Sequence, residues 1–267
     1  MAFDFLADKK RNEVKVVIEA DGRFEYKTHL VDNPDAKGVY VVWDRQGNEE
    51  RVLKVLWNTL LSKQRAEQEW LVWGEVNARG LLKGNNHVLR LYEKPVDLNK
   101  VAWGILMEKG EYSLEHLLKA LAFRPSEGQA VEIIKEIALG VQPAHIAGYS
   151  HNDLKPSNVI IVKDTDKKIL CKVGDFANST QGSHTTSTEK GTVGYMAPEG
   201  LKVTDGPRYE IRSDIYSLGV ILYQLNHPKV ETPFERLQSG ELYHCQMDPK
   251  FVEKKLSELK IAGRIKD

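Results

Sequence analysis

The chain has 267 residues, 41% hydrophobic and 28% charged, which suits one large folded domain or two small lobes. Lysine plus arginine and aspartate plus glutamate number 38 each, so no general field favours nucleic acid or an anionic membrane surface. Cys171 and Cys245 are the only cysteines, and neither they nor the eight histidines show a metal-ligand spacing, which excludes a disulfide scaffold and a patterned zinc site.

In chain order, Val14 to Glu19 and Arg23 to Val31 read as β-type runs separated by Asp21-Gly22, a hairpin signal. Gly38 to Asp44 and Glu50 to Trp57 form a second pair around the turn Arg45-Gln46-Gly47-Asn48. The pattern then predicts a helix from about Leu60 to Arg79, and strands at Val88 to Tyr92 and Ala102 to Glu108. Ser113-Leu114-Glu115-His116 reads as a helix start, and Ala130 to His145 is an apolar-periodic helix. The expected architecture is α+β with two lobes: a β-rich lobe over 1–109 and a helical lobe over 110–267, joined near Lys109-Gly110-Glu111. The longest apolar runs, such as Ile215 to Leu225, are too short and interrupted to span a bilayer. No charged-then-apolar leader opens the chain. With so few cysteines, the expected setting is a reducing, cytoplasmic one, with no membrane and no nucleic-acid partner.

The strongest chemical signal is His151-Asn152-Asp153-Leu154-Lys155-Pro156-Ser157-Asn158. It places an acid, a cation and an amide in one tight loop. Phosphoryl transfer to a hydroxyl uses those parts: a carboxylate for the hydroxyl, a positive charge for the moving phosphate, and an amide oxygen for a metal. Asp175-Phe176 follows seventeen residues after Asn158, at the end of the strand-like Ile169 to Val173, where a carboxylate could hold Mg²⁺. Gly191-Thr192-Val193-Gly194-Tyr195-Met196-Ala197-Pro198-Glu199 comes next, and Ser213-Asp214-Ile215-Tyr216-Ser217-Leu218-Gly219 opens an apolar helix.

In this order the series resembles the eukaryotic-type protein kinase family over nearly the whole chain. His151 to Asn158 matches H-R-D-L-K-x-x-N except at Asn152. Asp175-Phe176-Ala177 matches D-F-G except at its last residue, and Ala197-Pro198-Glu199 matches A-P-E. The resemblance implies an ATP-dependent protein serine/threonine kinase using Mg²⁺, or Mn²⁺, with a protein Ser or Thr hydroxyl as acceptor. Asp153 would orient the hydroxyl, Lys155 would neutralise the γ-phosphate, and Thr192 would support both. Asn158 and Asp175 would hold the metal. Asp214 would cap the catalytic-loop backbone. Lys54, on the predicted third strand in Arg51-Val52-Leu53-Lys54, would reach the α- and β-phosphates, with Val39 and Val52 at the adenine site. Met107 resembles the gatekeeper, the backbone of Glu108 to Gly110 would bond the adenine edge, and Ser113 would reach ribose. Two glutamates compete to pair with Lys54. Glu75 runs into the fourth-strand pattern with few gaps and is preferred, although Arg79 stands where the family has an apolar residue. Glu69 has Trp73 at that place but requires a long insertion afterwards.

Several positions depart from the family. Asp32, Pro34 and Lys37 stand at the three phosphate-loop glycines, with Gly38 displaced by one. That loss, with Asp35 nearby, would weaken phosphate binding. Ala177 adds a Cβ that is costly only at positive φ. Asn152 replaces the arginine that clasps an activation-segment phosphate, so the hydroxyls from Ser179 to Thr188 lose their usual receptor. The arginine that pairs with Glu199 in the family would lie beyond Asp267, unless Arg264 or another cation substitutes. The alternative to an active kinase is a pseudokinase that keeps the fold as a binding or scaffold module. Small-molecule phosphotransfer is a third reading, which the docking-loop character of Gly191 to Glu199 opposes.

Overall fold

Side-chain alternation along strands shapes the first of two structural units. The computed structural model describes residues 12–31, 37–57, 62–163, 166, 168–182, 184–185, 191–201, 208–234, 237, 241, 245–246 and 248–261. Contacts divide the chain into Met1–Asn77 with Leu89–Lys109, and Ala78–Val88 with Gly110–Asp267.

In the first unit, β1 (Phe24–Val31), β2 (Lys37–Asp44), β3 (Glu49–Trp57), β4 (Val96–Leu98) and β5 (Ala102–Met107) form an antiparallel sheet in the order β1-β2-β3-β5-β4. Successive side chains point to opposite faces, so Leu53 and Val55 share one face while Val52 and Lys54 share the other. The Leu53 face carries the core with Phe24, Tyr40, Val42, Leu98, Ala102 and Leu106. Helix α1, at 12–19, covers this core with Val14 and Ile18, which are 1% and 0% exposed. The strand expected at Val14 to Glu19 is therefore corrected to helix. Val14 and Ile18 are four residues apart, and one helical turn brings them to the same face. Asp21-Gly22 consequently joins a helix to β1 rather than two strands, with Gly22 at φ 74°.

Helix α2 (Ser62–Leu82) continues past the expected end at Arg79. A second correction concerns Val88 to Tyr92, which lies outside the sheet and makes only the isolated bridges Val88–Val173 and Leu91–Met107. Its backbone is held in part by β5, through Tyr92 N donating to the Leu106 carbonyl at 3.1 Å, and in part by side chains of α2. Trp73 Nε1 and Asn77 Nδ2 both donate to the Leu89 carbonyl at 2.8 Å. The edge strand beside β5 is β4, which the sequence pattern did not indicate. At the far end of β2, Asp44 is 0% exposed and accepts from Arg23 Nε at 3.0 Å and Arg51 Nη1 at 2.7 Å. Burial alone would raise this carboxyl's pKa, but the Arg23 guanidinium draws it below the ordinary carboxylate range.

The second unit is mostly helical: α3 (Leu114–Lys119), α4 (Glu127–Ile146), α5 (Ile211–Asn226) and α6 (Pro249–Ile261). Ser126 and Gln129 form a capping box at the start of α4. Strands β6 (Tyr112–Ser113), β8 (Val159–Lys163) and β9 (Ile169–Val173) form a small sheet. β7 (Tyr149–Ser150) pairs with β10 (Thr180–Gln181), and β11 (His184–Thr185) with β12 (Arg208–Tyr209). Ala78–Val88, expected with the first lobe, groups with this unit. There Asn85 Nδ2 donates to the Leu139 carbonyl at 2.6 Å, and Val173 N donates to the His87 carbonyl at 2.8 Å. Among the described residues, no helix is long and apolar enough to cross a membrane.

Candidate active site

In the first unit, Lys54 is on β3 and buried, and its partner is Glu69. Lys54 Nζ lies 2.7 and 2.9 Å from the two Glu69 carboxylate oxygens, and the two side chains are 5% and 3% exposed. This corrects the preference for Glu75. Six residues along a helix is about 9 Å and 240° of rotation, so the two glutamates cannot occupy the same place. Trp73, one turn after Glu69, is 1% exposed, as the Glu69 register requires. Val52 pairs with Met107 across β3 and β5, and both are buried. Val39 pairs with Lys54 across β2 and β3. Glu108 N donates to the Arg90 carbonyl at 2.9 Å. Asp32 and Pro34, two of the three positions aligned with the phosphate-loop glycines, and Asp35 beside them lie outside the described residues.

In the second unit, Gly110 approaches β8 so closely that a Cβ there would collide with Ile160 and the Ile161 carbonyl. Ser113 caps α3, its hydroxyl accepting from His116 N at 3.1 Å. The loop from His151 to Asn158 is held from α5 by Asp214, which is 0% exposed. Its carboxylate accepts from His151 N at 2.8 Å and Asn152 N at 2.9 Å, and lies 2.8 Å from His145 Nε2. His151 uses both ring nitrogens: Nδ1 accepts from Asp153 N at 3.2 Å, and Nε2 donates to the Gly174 carbonyl at 3.1 Å. That pairing fixes a neutral tautomer.

Asp153 is the centre of the site. Thr192 Oγ1 donates to Oδ1 at 2.7 Å, while Lys155 Nζ at 3.1 Å and Asn158 Nδ2 at 3.3 Å donate to Oδ2. Lys155 also donates to Thr192 Oγ1 at 2.6 Å, and Asn158 Nδ2 to the Asp153 carbonyl at 2.8 Å. With its nitrogen pinned on Asp153, Asn158 turns its amide oxygen the other way. Gly191 brings Thr192 in. At φ 107° it lies so near the Asn152 carbonyl that a Cβ would clash.

Asp175 follows β9 in the left-handed conformation, φ 62°, and opens a tight turn over Phe176–Asn178. Phe176 is 1% exposed and its ring lies 4.7 Å from that of His151. Ala177 in this turn is not among the residues with positive φ, so its Cβ introduces no backbone strain. Glu199 is half-buried and accepts from Ser213 Oγ at 2.8 Å; Arg264 lies outside the described residues. Sequence reasoning missed Asn178, whose Nδ2 lies 3.4 Å from Asp153 Oδ2. Its position directly after Asp175-Phe176-Ala177 was the available signal.

A family model described as "Protein kinase domain" matches residues 37–262. The chain belongs to the protein kinase domain family. This kinase domain is 29% identical over 233 residues to MAP kinase-interacting serine/threonine-protein kinase 1 of Xenopus laevis, covering 80% of the chain and 53% of that relative. It is 32% identical over 188 residues to serine/threonine-protein kinase pkn3 of Myxococcus xanthus, covering 65% of the chain and 32% of the relative. Over 106 residues it is 35% identical to eukaryotic translation initiation factor 2-alpha kinase 1 of Plasmodium falciparum, covering 39% of the chain and 6% of that relative. The chain thus spans about half or less of the length of these curated relatives. Helix α1 and strand β1 precede the matched residues of the kinase domain.

Proposed function

We propose that this chain is an ATP-dependent protein serine/threonine kinase. The observation that carries the reading is the state of Asp153, whose carboxylate is held by Thr192, Lys155 and Asn158. The acceptor hydroxyl oxygen attacks the γ-phosphorus, the bond to ADP breaks, and the hydroxyl proton passes to Asp153. Lys155 neutralises the transferring phosphate, and Lys54, oriented by Glu69, binds the α- and β-phosphates. Val39, Val52 and Met107 belong to the adenine side of the reading, with the backbone at Glu108 and Gly110 and the Ser113 hydroxyl as further contacts.

The donor set suits Mg²⁺. Among the described residues no group of three or more His, Cys, Asp or Glu could hold a metal alone. Mg²⁺ is commonly bound by one or two protein oxygens together with substrate phosphates and water, and the Asn158 amide oxygen and the Asp175 carboxylate fit that requirement. When bound, Mg²⁺ supplies charge neutralisation on the phosphates.

The competing reading, a pseudokinase acting as a binding module, draws on the glycine-poor phosphate loop and on Asn152. Retention of Lys54, Asp153, Lys155, Asn158 and Asp175 weighs against it. A γ-phosphate transfer assay with Mg²⁺ or Mn²⁺ separates the two. The native chain is expected to phosphorylate Ser or Thr in protein, and Asp153→Ala to fall by about a hundred- to ten-thousandfold. Binding of Mg·ATP without transfer by the native chain would leave the pseudokinase reading standing. In thermal-shift titrations Mg·ATP is expected to stabilise Asp153→Ala but not Asp175→Ala.

A further inference from the structure

The residue preceding Asp153 is engaged in a network the proposed chemistry does not use. Asn152 is 7% exposed, with φ 66°, a conformation asparagine tolerates better than most residues. Its Nδ2 donates to the Asn178 carbonyl at 3.0 Å and to Thr180 Oγ1 at 2.9 Å. A carbonyl only accepts, so the Asn178 contact fixes which end of the amide faces the segment. Thr180 Oγ1 also lies 3.0 Å from Ser150 Oγ, which itself donates to the Thr180 carbonyl at 3.3 Å. The backbones of Ser150 and Thr180 pair across β7 and β10. Ser150, Asn152 and Thr180 are 1%, 7% and 8% exposed. The residue they bracket, Asn178, reaches Asp153 Oδ2.

We propose that Ser150, Asn152 and Thr180 form an uncharged latch that holds Asn178 against Asp153 without any phosphate on the activation segment. The proposal rests on the kinase reading above. An arginine in this place would need a charged partner, because a buried unpaired cation is costly. Asn152 needs no charged partner, since hydroxyl and carbonyl groups of the segment satisfy its amide nitrogen, although its Oδ1 is buried with no hydrogen-bond partner among the described residues. Asn152, Thr180 and Ser150 are positioning residues that act through Asn178, and the segment's own fold supplies what a phosphate would otherwise bring.

The test uses phosphatase-treated full chain. Thr180→Val removes the hydroxyl at constant shape, and Asn152→Gly removes the amide while keeping positive φ available. Each is expected to lower kcat about tenfold with the KM for ATP changed less than about twofold, as lost orientation without lost binding requires. The double variant is expected to be no slower than the slower single variant, since both break one unit. Thr180→Ser is expected to restore the rate. Amide hydrogen exchange at residues 178–181 is expected to quicken in both disrupting variants. Full kcat in Thr180→Val or Asn152→Gly, or a change confined to KM, would overturn the latch. If the native chain transfers no phosphate, the kinase reading falls separately and exchange alone decides. Faster exchange in the variants upholds the latch, and unchanged exchange overturns it.

Discussion

Which glutamate serves Lys54 matters because breaking a buried ion pair strands a charge, at a cost of about 3–5 kcal/mol. Glu69→Gln is therefore expected to lower the denaturation midpoint and kcat/KM for ATP, with Glu75→Gln much nearer the native protein; equal effects in a paired kinetic and urea-denaturation measurement would reverse the assignment. Two other side chains are expected to contribute to a loss of stability at alkaline pH. Burial pushes the Cys171 thiol from 9.0 and the Tyr216 hydroxyl from 10.0, each up to about 12. Both groups are neutral when protonated, so the fold favours the protonated forms. Their contribution is complete below the unfolded-state values and is lost as pH rises from about 9 toward 12. Urea midpoints are expected to hold level to about pH 9 and then fall. Cys171→Ala and Tyr216→Phe should each flatten the fall, and a slope identical to native in both would show that other groups cause it.

At the scale of elements, α1 is bound by its two inward residues. Ile18 is 0% exposed, and Ile18→Ala is expected to cost about 3 kcal/mol in chemical denaturation, against little for exposed Val16→Ala. The same helix marks the limit of sequence reading. Val14 to Glu19 is apolar enough to satisfy both a strand and a helix pattern, and only the packing of Val14 and Ile18 on the sheet decides between them. Val88 to Leu91 misled for a related reason. Its β-type residues are present, but Trp73 and Asn77 take the Leu89 carbonyl that a neighbouring strand would have used. Treating it as a strand favoured Glu75, whereas the insertion that counted against Glu69 is absorbed by a helix reaching Leu82. The clustering of Asp153, Lys155, Asn158 and Thr192 was legible because the kinase resemblance ties residue type to spacing there. Asn178 and Thr180 were not, since side-chain amides and hydroxyls acquire their meaning only from what they touch.

For the molecule as a whole, the charge layout carries an expectation about substrate choice under the kinase reading. The resemblance implies that arginine-directed members carry acids at three positions that here hold Ser113, Ser157 and Gln224. Ser113 already caps α3, and Gln224 is 2% exposed between the Tyr195 hydroxyl and the Val230 carbonyl. None offers a charge for a substrate arginine, and of the nearby acids Glu115 pairs with Lys119. The same resemblance implies arginine at the Met196 position in proline-directed members. A positional-scanning peptide library is expected to return no strong selection for arginine two or three residues before the acceptor, nor a strict proline requirement; selection for arginine there would defeat the argument. One last consequence follows from α1 and β1 preceding the matched family residues. A recombinant chain begun at residue 37 would keep the matched motifs from Lys54 onward and still lose the cover over Leu53, Val55, Leu98 and Leu106. β2 would become a bare sheet edge beside an uncovered apolar face, a combination that invites strand-to-strand aggregation. Such a protein is expected to collect in inclusion bodies while the full chain stays in the supernatant.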